Sequence, residues 1–514
     1  MSEQETPLGL TKWQLGLLVG VPVAVVAVAG VWWYLQSSNE NEKEDEKAET
    51  TVETPVETPT PKAAEEEIDH MGQFEDVVTE ASKALELNNR YTKALMRRAR
   101  AYEQLDKKEE CLQDVAMTCQ CRNDLTAVCL LEGFNNPDWM IHADRVLKSI
   151  GKEKAHEHFK NRKPAIPSAI AIKAYLDSYS QDDILSDSIR DEEGIEPDTP
   201  FVLALDDIKQ RKFDNIVFCF CMTGEGPCYA KALALRGTMY TLMSQVEDAI
   251  TDLTEVITMD DDKASIKLKI SCLLKRASLK VEEGTVDSDA ENDFQTAITL
   301  DSSNSDIYHQ RGLIYFMTER LDDAREDFQK CLELNPNFIQ AKIQLAYCIY
   351  KKAQLMQSSV LAKGAMDEFE RISKEHPDSP DALGLHAQAL QEQGEFENAM
   401  EKYAAAHKIQ PENPVHLVYK GLLMVQWKQD FEKAVELVQS AIDLDRKCDF
   451  AYETLATLEV QRGNLDKAIQ LFDEALLLVR TEGEMAQTYA LREAAIAQNY
   501  VTNKMGIKPN IFMG

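Results

Sequence analysis

The stretch from Phe294 to Cys331, FQTAITLDSSNSDIYHQRGLIYFMTERLDDAREDFQKC, contains the pattern that decides the fold. At its start Phe294 is followed three positions later by Ala297, and at its end Phe328 is followed in the same way by Cys331. An aromatic or apolar residue with a small or apolar partner three positions later recurs along the chain at Leu253/Val256, Phe294/Ala297, Phe328/Cys331, Phe369/Ile372, Tyr403/Ala406, Val438/Ala441 and Phe472/Ala475. This recurrence predicts an internal repeat that is built from helices.

Successive pairs are 41, 34, 41, 34, 35 and 34 residues apart. The recurring spacing of 34 residues is that of the tetratricopeptide repeat, a helical hairpin in which a small residue lets the second helix approach its neighbours closely. Each of the two longer steps adds about two helical turns without loss of register. Because a single hairpin would expose an apolar face, the hairpins must stack. The sequence therefore predicts an all-α tetratricopeptide-repeat superhelix, an α-solenoid, with a concave groove that binds other polypeptides.

The chain is strongly acidic. Its 514 residues include 88 acidic and 56 basic ones, which gives a formal net charge of −32. Such a surface repels phosphate backbones, so nucleic acid is not an expected partner. It attracts basic segments weakly, although the simpler interpretation is that the charge keeps a large helical array soluble.

The cysteines favour a reducing compartment. There are 11 of them, an odd number, and most lie in predicted helices, where cysteine serves as a small apolar residue. The pairs Cys119/Cys121 and Cys219/Cys221 lack the spacing of a zinc site and have no ligand-rich partner segment. The sequence therefore predicts neither a metal nor a cofactor. No pattern of an enzyme active site occurs either, so we expect a binding protein and no catalytic residues.

Residues 1–35 are predicted to form a membrane anchor. No charged residue occurs from Trp13 to Ser38, and the apolar run to Leu35 is long enough to cross about 30 Å of hydrocarbon as a helix. A secretory signal peptide is the alternative, because residues 27–29, Ala-Val-Ala, resemble a cleavage site. The apolar run continues past that site, and the odd cysteine count does not suit secretion. We therefore expect a single-pass N-terminal anchor with the bulk of the chain in the cytosol.

Two glycines of this segment, Gly16 and Gly20, have the GxxxG spacing. That spacing allows two membrane helices to pack closely, although glycine is also common in membrane helices for other reasons. The packing of two anchors is therefore one of two open interpretations.

The rest of the chain divides by composition. Residues 36–71 are rich in Glu, Thr, Pro and Lys and are predicted to be a disordered acidic linker. Residues 72–177 are predicted to be an incomplete N-terminal repeat region, and residues 178–227 an acidic, partly mobile connection. Residues 228–514 carry the regular repeats and are predicted to form a C-terminal array with the polypeptide-binding groove.

Several segments resemble a known family, the large tetratricopeptide import receptor of the mitochondrial outer-membrane translocase. They are KALMRRA (93–99), LLEGF (130–134), GKEKA (151–155), QWKQD (426–430), CDFAYET (448–454), EVQRGN (459–464) and KMGIKP (504–509). The order of anchor, acidic linker and repeats also matches, and the resemblance extends from about Gly72 to the end of the chain. It implies residence in the mitochondrial outer membrane. It also implies a receptor that takes hydrophobic precursors of the carrier type, with internal signals, from cytosolic chaperones and passes them to translocase subunits.

The resemblance also implies a chaperone-docking site. In the family a clamp of Lys, Asn, Asn, Lys and Arg holds the acidic C-terminal tail of chaperones of the seventy- and ninety-kilodalton classes. Only Lys93 and Arg97 match that clamp here, and the first repeat and the opening helix of the second are missing. The chain therefore looks like an alternative product or an incomplete gene model, and we expect it to dock chaperones weakly. Alternatively, Lys93 and Arg97 form an ordinary exposed cationic face.

By their position on the first helices of repeats, six residues are candidates for the client groove: Tyr308, Arg311, Lys420, Tyr452, Glu459 and Arg462. Each could instead support repeat packing or a turn. Two other functions stay open. One is a membrane-bound co-chaperone scaffold, which would need an intact clamp. The other is a truncated isoform that competes with a full-length receptor.

Overall fold

The computed structural model describes residues 61–123, 138–182, 184, 200–213, 228–282, 285–286 and 288–506. These residues fall into two compact units. We call residues 163–451 the central unit, and residues 61–162 together with 452–506 the terminal unit. The predicted anchor with Gly16 and Gly20, and the linker as far as residue 60, lie outside the described residues. Among the helices that are described, none combines the length and the apolar character needed to cross a membrane.

The described helices, in chain order, are α1 (Pro61–Leu87), α2 (Thr92–Gln104), α3 (Lys108–Asn123), α4 (Asp138–Asn161), α5 (Ala169–Asp177), α6 (Pro200–Lys209), α7 (Tyr229–Leu242), α8 (Val246–Thr258), α9 (Ile266–Leu279), α10 (Ser288–Leu300), α11 (Ser305–Met317), α12 (Leu321–Leu334), α13 (Ile339–Leu355), α14 (Ser359–Glu375), α15 (Pro380–Glu392), α16 (Phe396–Ile409), α17 (Val415–Lys428), α18 (Phe431–Leu444), α19 (Asp449–Gln461), α20 (Leu465–Leu476) and α21 (Glu482–Met505). Two short strands, β1 (Val281–Glu282) and β2 (Thr285–Val286), form an antiparallel pair between α9 and α10. Apart from this pair, the regular structure of the described residues is helical, which confirms the predicted helical repeat fold.

The repeat pairs are the innermost residues of the hairpins. All seven pairs are buried, and each of their side chains, from Leu253 to Ala475, is at most 1% exposed. The first member, which is aromatic in five of the seven pairs, fills the space between the two helices of a hairpin. The second member, which is Ala or Cys in five pairs, allows the helices to pack closely. The spacing in the sequence and the core of the structure therefore describe the same residues.

Helix α1 begins ten residues before the predicted end of the linker 36–71, at Pro61 rather than after Met71. Helix α1 thus overlaps the last residues of the segment that is predicted to be the linker. The physical reason is local, since Pro61 occupies the first helical position, where its missing N–H costs nothing. The following alanines and glutamates, in PKAAEEE, have high helix propensity.

The described parts of the predicted connection 178–227 are packed. Tyr179, Ile184, Phe201 and Phe213 are at most 7% exposed and belong to the main core of the central unit. Their apolar side chains gain by burial, which explains why these stretches are ordered against the repeats. Residues 185–199, which hold most of the acidic run, and residues 214–227 lie outside the described residues.

The terminal unit is built from both ends of the described chain. Ala497 on α21 shares a core with Val146 and Ile150 on α4, and Val501 shares another with Leu95 on α2. Helix α21 begins with a complete capping box formed by Thr481 and Glu484, which fixes the start of the helix. The last part of the predicted array 228–514 therefore packs with the N-terminal repeat region within this unit.

Candidate functional site

Four repeats carry the same ion pair between their two helices. In each, the Nε and Nη2 atoms of an arginine on the first helix donate to both carboxylate oxygens of an aspartate on the second, at 2.6–2.9 Å. The pairs are Arg98–Asp114, Arg236–Asp252, Arg276–Asp293 and Arg311–Asp327. A bidentate pair of this kind is strong and geometrically specific. We call these pairs the hairpin clamps.

One predicted client residue, Arg311, belongs to a hairpin clamp, and a second, Tyr308, lies beside it. The hydrogen bonds that Arg311 donates to Asp327 raise the pKa of Arg311. Its guanidinium lies 5.8 Å from the ring centre of Tyr308 and 5.6 Å from that of Tyr315. Tyr308 is 8% exposed, and its hydroxyl donates to the carbonyl oxygen of Ser302 at 3.2 Å. The structure thus brings Tyr308 and Arg311 together, but most of their polar atoms are used to hold the repeat.

Lys420 differs from the clamp arginines. It precedes Gly421, as Arg311 precedes Gly312, and each glycine lies against the first residue of its repeat pair. The residue before that pair is Asp327 in one repeat and Leu437 in the other. Lys420 therefore lacks the aspartate of the clamp. Burial and the nearby Lys433 lower its pKa, and within the described residues it forms no ion pair.

Glu459 and Arg462 form a network in the terminal unit. The Glu459 carboxylate has no solvent exposure and accepts hydrogen bonds from Arg462 at 3.0 Å, Asn464 at 2.6 Å and Lys467 at 2.7 Å. Burial opposes its ionisation, but the hydrogen bonds from Lys467 and Asn464 outweigh burial and lower its pKa. These contacts fasten the turn between α19 and α20. Tyr452 lies half-buried on α19.

The first helices of two central repeats are contacted by the chain's own segment 178–182, which the sequence analysis did not foresee. The Asp182 carboxylate accepts hydrogen bonds from Lys275 at 2.6 Å and Ser271 at 2.9 Å, both on α9. Lys275 is fully buried, and its ammonium lies 4.9 Å from the ring centre of Tyr179. A buried charge of this kind needs such partners. This part of the helix surface is therefore not open to a ligand.

The neighbouring helix holds the same segment. Asp306 on α11 accepts the backbone N–H of Gln181 at 2.8 Å, and the amide of Gln310 donates to the carbonyl oxygen of Ser178 at 3.2 Å. The sequence signal for this contact was weak, because it depends on side chains more than 80 positions apart. The polar residues of α9 and α11, at helical positions that are normally apolar when buried, were the available hint.

Lys93 and Arg97 are both exposed on one face of α2. Neither forms an ion pair or hydrogen bond with the described residues, whereas the adjacent Arg98 is held by Asp114 and Ser82. A lysine and an arginine at i and i+4 can donate hydrogen bonds to the same carboxylate. Both residues of the expected pair are therefore exposed on the same face of α2.

Metal binding has no support within the described ranges. No group of three or more His, Cys, Asp or Glu side chains is placed to hold an ion there. Cys119 and Cys121 form no disulfide and lie in the terminal unit on α3, while Cys219 and Cys221 lie outside the described residues.

Known proteins share both the repeats and most of the chain. Models of the tetratricopeptide repeat match residues 305–338, 364–414 and 428–483. The mitochondrial import receptor subunit TOM70 of Mus musculus is 39% identical over 457 residues, which is 86% of this chain and 72% of the relative. The Homo sapiens protein of that name is also 39% identical, over 86% of this chain and 73% of its own length.

A solved structure agrees with the fold. The crystal structure of yeast Tom70 matches with a TM-score of 0.55 at 24% identity and covers 85% of this chain and 89% of its own. This match supports the fold. The family follows from the identity to the mammalian relatives, which extends over more than two thirds of their length. The chain belongs to the TOM70 family of mitochondrial import receptor subunits.

Proposed function

We propose that this chain is a mitochondrial outer-membrane receptor that binds hydrophobic precursor polypeptides of the carrier type and passes them to the translocase. The observation that carries the proposal is the 39% identity to mammalian mitochondrial import receptor subunits over 457 residues. The stacked helical hairpins support it, because such repeats bind polypeptides along the surface of their first helices.

The contacts of the predicted client residues decide which of them is a suitable probe of precursor binding. Four of the six predicted client residues, namely Tyr308, Arg311, Glu459 and Arg462, have internal partners, so their substitution would disturb packing. Lys420 is the cleanest probe, since it is half-buried on the first helix of its repeat and has no described carboxylate partner. A hydrophobic polypeptide with a free carboxylate or carbonyl group would suit that position.

The proposal is tested by site-specific photocrosslinking. A photoreactive residue is placed at Lys420 and, as the control, at Lys408, which is exposed on the second helix α16. Mitochondria that carry each variant receive newly made carrier precursors. We expect crosslinks from position 420 and few from position 408. Equal crosslinking from both positions would remove Lys420 from the client site. If neither position gives a crosslink, and mitochondria that lack the chain import the precursors normally, the receptor function is contradicted.

We further propose that Lys93 and Arg97 dock the acidic tail of a chaperone only weakly. Charge-assisted hydrogen bonds contribute about 1.5–3 kcal/mol each, and two residues supply few of them. Titration with a peptide that ends in a free acidic C-terminus tests this, with Arg97→Ala compared against Lys107→Ala, a change of an exposed lysine in the adjacent loop. We expect weak binding of the peptide. Tight binding that is abolished by Arg97→Ala but not by Lys107→Ala would contradict the proposal, because it would show that chaperone docking is intact.

A further inference from the structure

One hairpin of the central unit is longer than its neighbours. Helices α13 and α14 have 17 residues each, whereas α11 and α15 have 13 and α12 and α16 have 14. The additional residues account for the 41-residue step from Phe328 to Phe369. The hairpin is thus extended by about one helical turn at each helix.

The end of this hairpin exposes apolar side chains. Leu355 is 74% exposed, Met356 59%, Val360 80% and Leu361 40%, all within seven consecutive residues. We call residues 355–361 the hairpin tip. The loops of the neighbouring hairpins are polar, as in Thr318-Glu319-Arg320 and Gln393-Gly394-Glu395. A cluster of large exposed apolar side chains at a protruding position indicates an interaction surface.

Hydrogen bonds fix the turn at the centre of the tip. The N–H groups of Met356, Gln357 and Ser358 donate to the carbonyl oxygens of Lys352, Gln354 and Ala353 at 2.9–3.0 Å. The Ser358 hydroxyl accepts the N–H of Leu361. These bonds hold the turn between α13 and α14 in place, so the apolar side chains of the tip are presented by an ordered backbone.

The sequence around the tip lacks acidic residues. Residues 334–366 contain no Asp or Glu and four lysines, although acidic residues number 88 in the 514 of the chain. Lys351 and Lys352, at the base of the tip, pair with Glu392 and Asp322. Lys363, just beyond the tip, is exposed and forms no ion pair within the described residues. Lys363 is therefore a cation beside the tip that can meet an anionic surface.

We propose that the hairpin tip docks onto a lipid bilayer that carries anionic phospholipids. Leu355, Met356, Val360 and Leu361 enter the boundary between headgroups and acyl chains, and Lys363 meets the headgroup phosphates. Apolar side chains with an adjacent cation are the combination that such surfaces bind. Contact at the tip would give the central unit a second attachment to the membrane and a defined orientation beside it.

The test uses the full chain with lipid vesicles. An environment-sensitive fluorescent amino acid is placed at Met356 by genetic encoding, which leaves the cysteines unchanged, and quenching by lipids with a spin label on the acyl chain is measured. Vesicles of phosphatidylcholine are compared with vesicles that also contain phosphatidylserine. The control probe stands at Gln393, in the loop of the next hairpin. We expect at least about twofold stronger quenching at position 356 in the anionic vesicles and none at position 393.

Two variants test whether the tip itself causes the quenching by lipid. Val360→Glu places a charge at an 80% exposed position of the tip, and Leu477→Glu makes the same change at a 64% exposed position outside it. We expect the first to abolish quenching and the second to leave it intact. The proposal is overturned if position 356 is quenched no more than position 393, if phosphatidylcholine alone quenches equally, or if Val360→Glu has no effect. Crosslinking of the tip to a protein without lipid quenching would overturn it as well.

Discussion

At the scale of single residues, Arg311 holds the two helices of its hairpin together through Asp327, whereas the sequence indicates a role in the client groove. Its guanidinium is 19% exposed and its aspartate 7%, so Arg311→Ala would leave a nearly buried carboxylate without a partner. We expect a loss of about 3 kcal/mol in unfolding free energy, measured by urea denaturation. Arg371→Ala, which removes a 51% exposed arginine from surface ion pairs, should cost less than about 0.5 kcal/mol.

A stable Arg311→Ala variant that fails to crosslink precursors would contradict this account and favour a role in the groove. The sequence could predict that Arg311 lies on a first helix and near Tyr308. It could not predict the direction of its side chain, because the partner Asp327 belongs to the next helix and its pairing depends on how the two helices cross.

His309 is a second buried residue with a measurable signature. It is fully buried between Phe328 and Phe338, with ring centres 6.1 and 4.6 Å away, and burial lowers its pKa to about 3. Because the folded chain holds this imidazole neutral while the unfolded chain protonates it below about pH 6.5, its contribution to stability is lost as the pH falls through that value. Between pH 7.5 and pH 5.5 we expect this residue to lower the free energy of unfolding by about 1 kcal/mol.

The measurement compares urea unfolding of the wild type and His309→Leu at the two pH values. The acid-induced loss should be smaller in the variant by that amount. An identical loss in both proteins would show that His309 is already protonated, or solvated, in the folded state.

At the scale of helices, close approach within a hairpin depends on single glycines. A Cβ atom at Gly421 would lie 2.8 Å from the Cγ2 atom of Val438 and 3.1 Å from the carbonyl oxygen of Ala434, whereas one at Gly384 would meet no atom within 4 Å. Gly421→Ala should therefore destabilise the chain by about 1–3 kcal/mol. Gly384→Ala should stabilise it by about 0.5–1 kcal/mol, because alanine favours the helix interior. Thermal unfolding checks both, and a matching sign for the two variants would refute the argument.

Much of the helical organisation could be predicted from the sequence because it is local. The pairs from Leu253/Val256 to Phe472/Ala475 are set by the helical period and are all buried. The contacts of segment 178–182 with α9 and α11 could not be predicted in this way. They join residues such as Asp182 and Lys275, which are 93 positions apart, and no period in the sequence relates them. The segment before residue 72 carries two conflicting signals, since its composition favours disorder and its alanines and glutamates after Pro61 favour a helix.

At the scale of the whole molecule, the order of segments along the chain does not match the division into compact units. Composition divides the chain into successive regions, but residues 452–506 pack with residues 61–162. The reason lies in α21, whose apolar face needs a partner that the neighbouring repeat does not fully supply. Ala497 and Val501 find it against Val146, Ile150 and Leu95.

This arrangement predicts that damage at one end of the chain loosens the other. A Cβ atom at Gly151 on α4 would lie 2.3 Å from the carbonyl oxygen of Ala486 on α21, and backbone cannot move aside as a side chain does. We expect Gly151→Ala to lower the free energy of unfolding by about 3 kcal/mol. Amide hydrogen exchange should become faster in both α2–α4 and α21, while the helices from α9 to α16 keep their protection. Gly483→Ala, where a Cβ atom meets nothing within 4 Å, is the control. Faster exchange confined to α4 would mean that the two ends fold independently, and a uniform increase along the chain would mean that the central unit depends on the same contact.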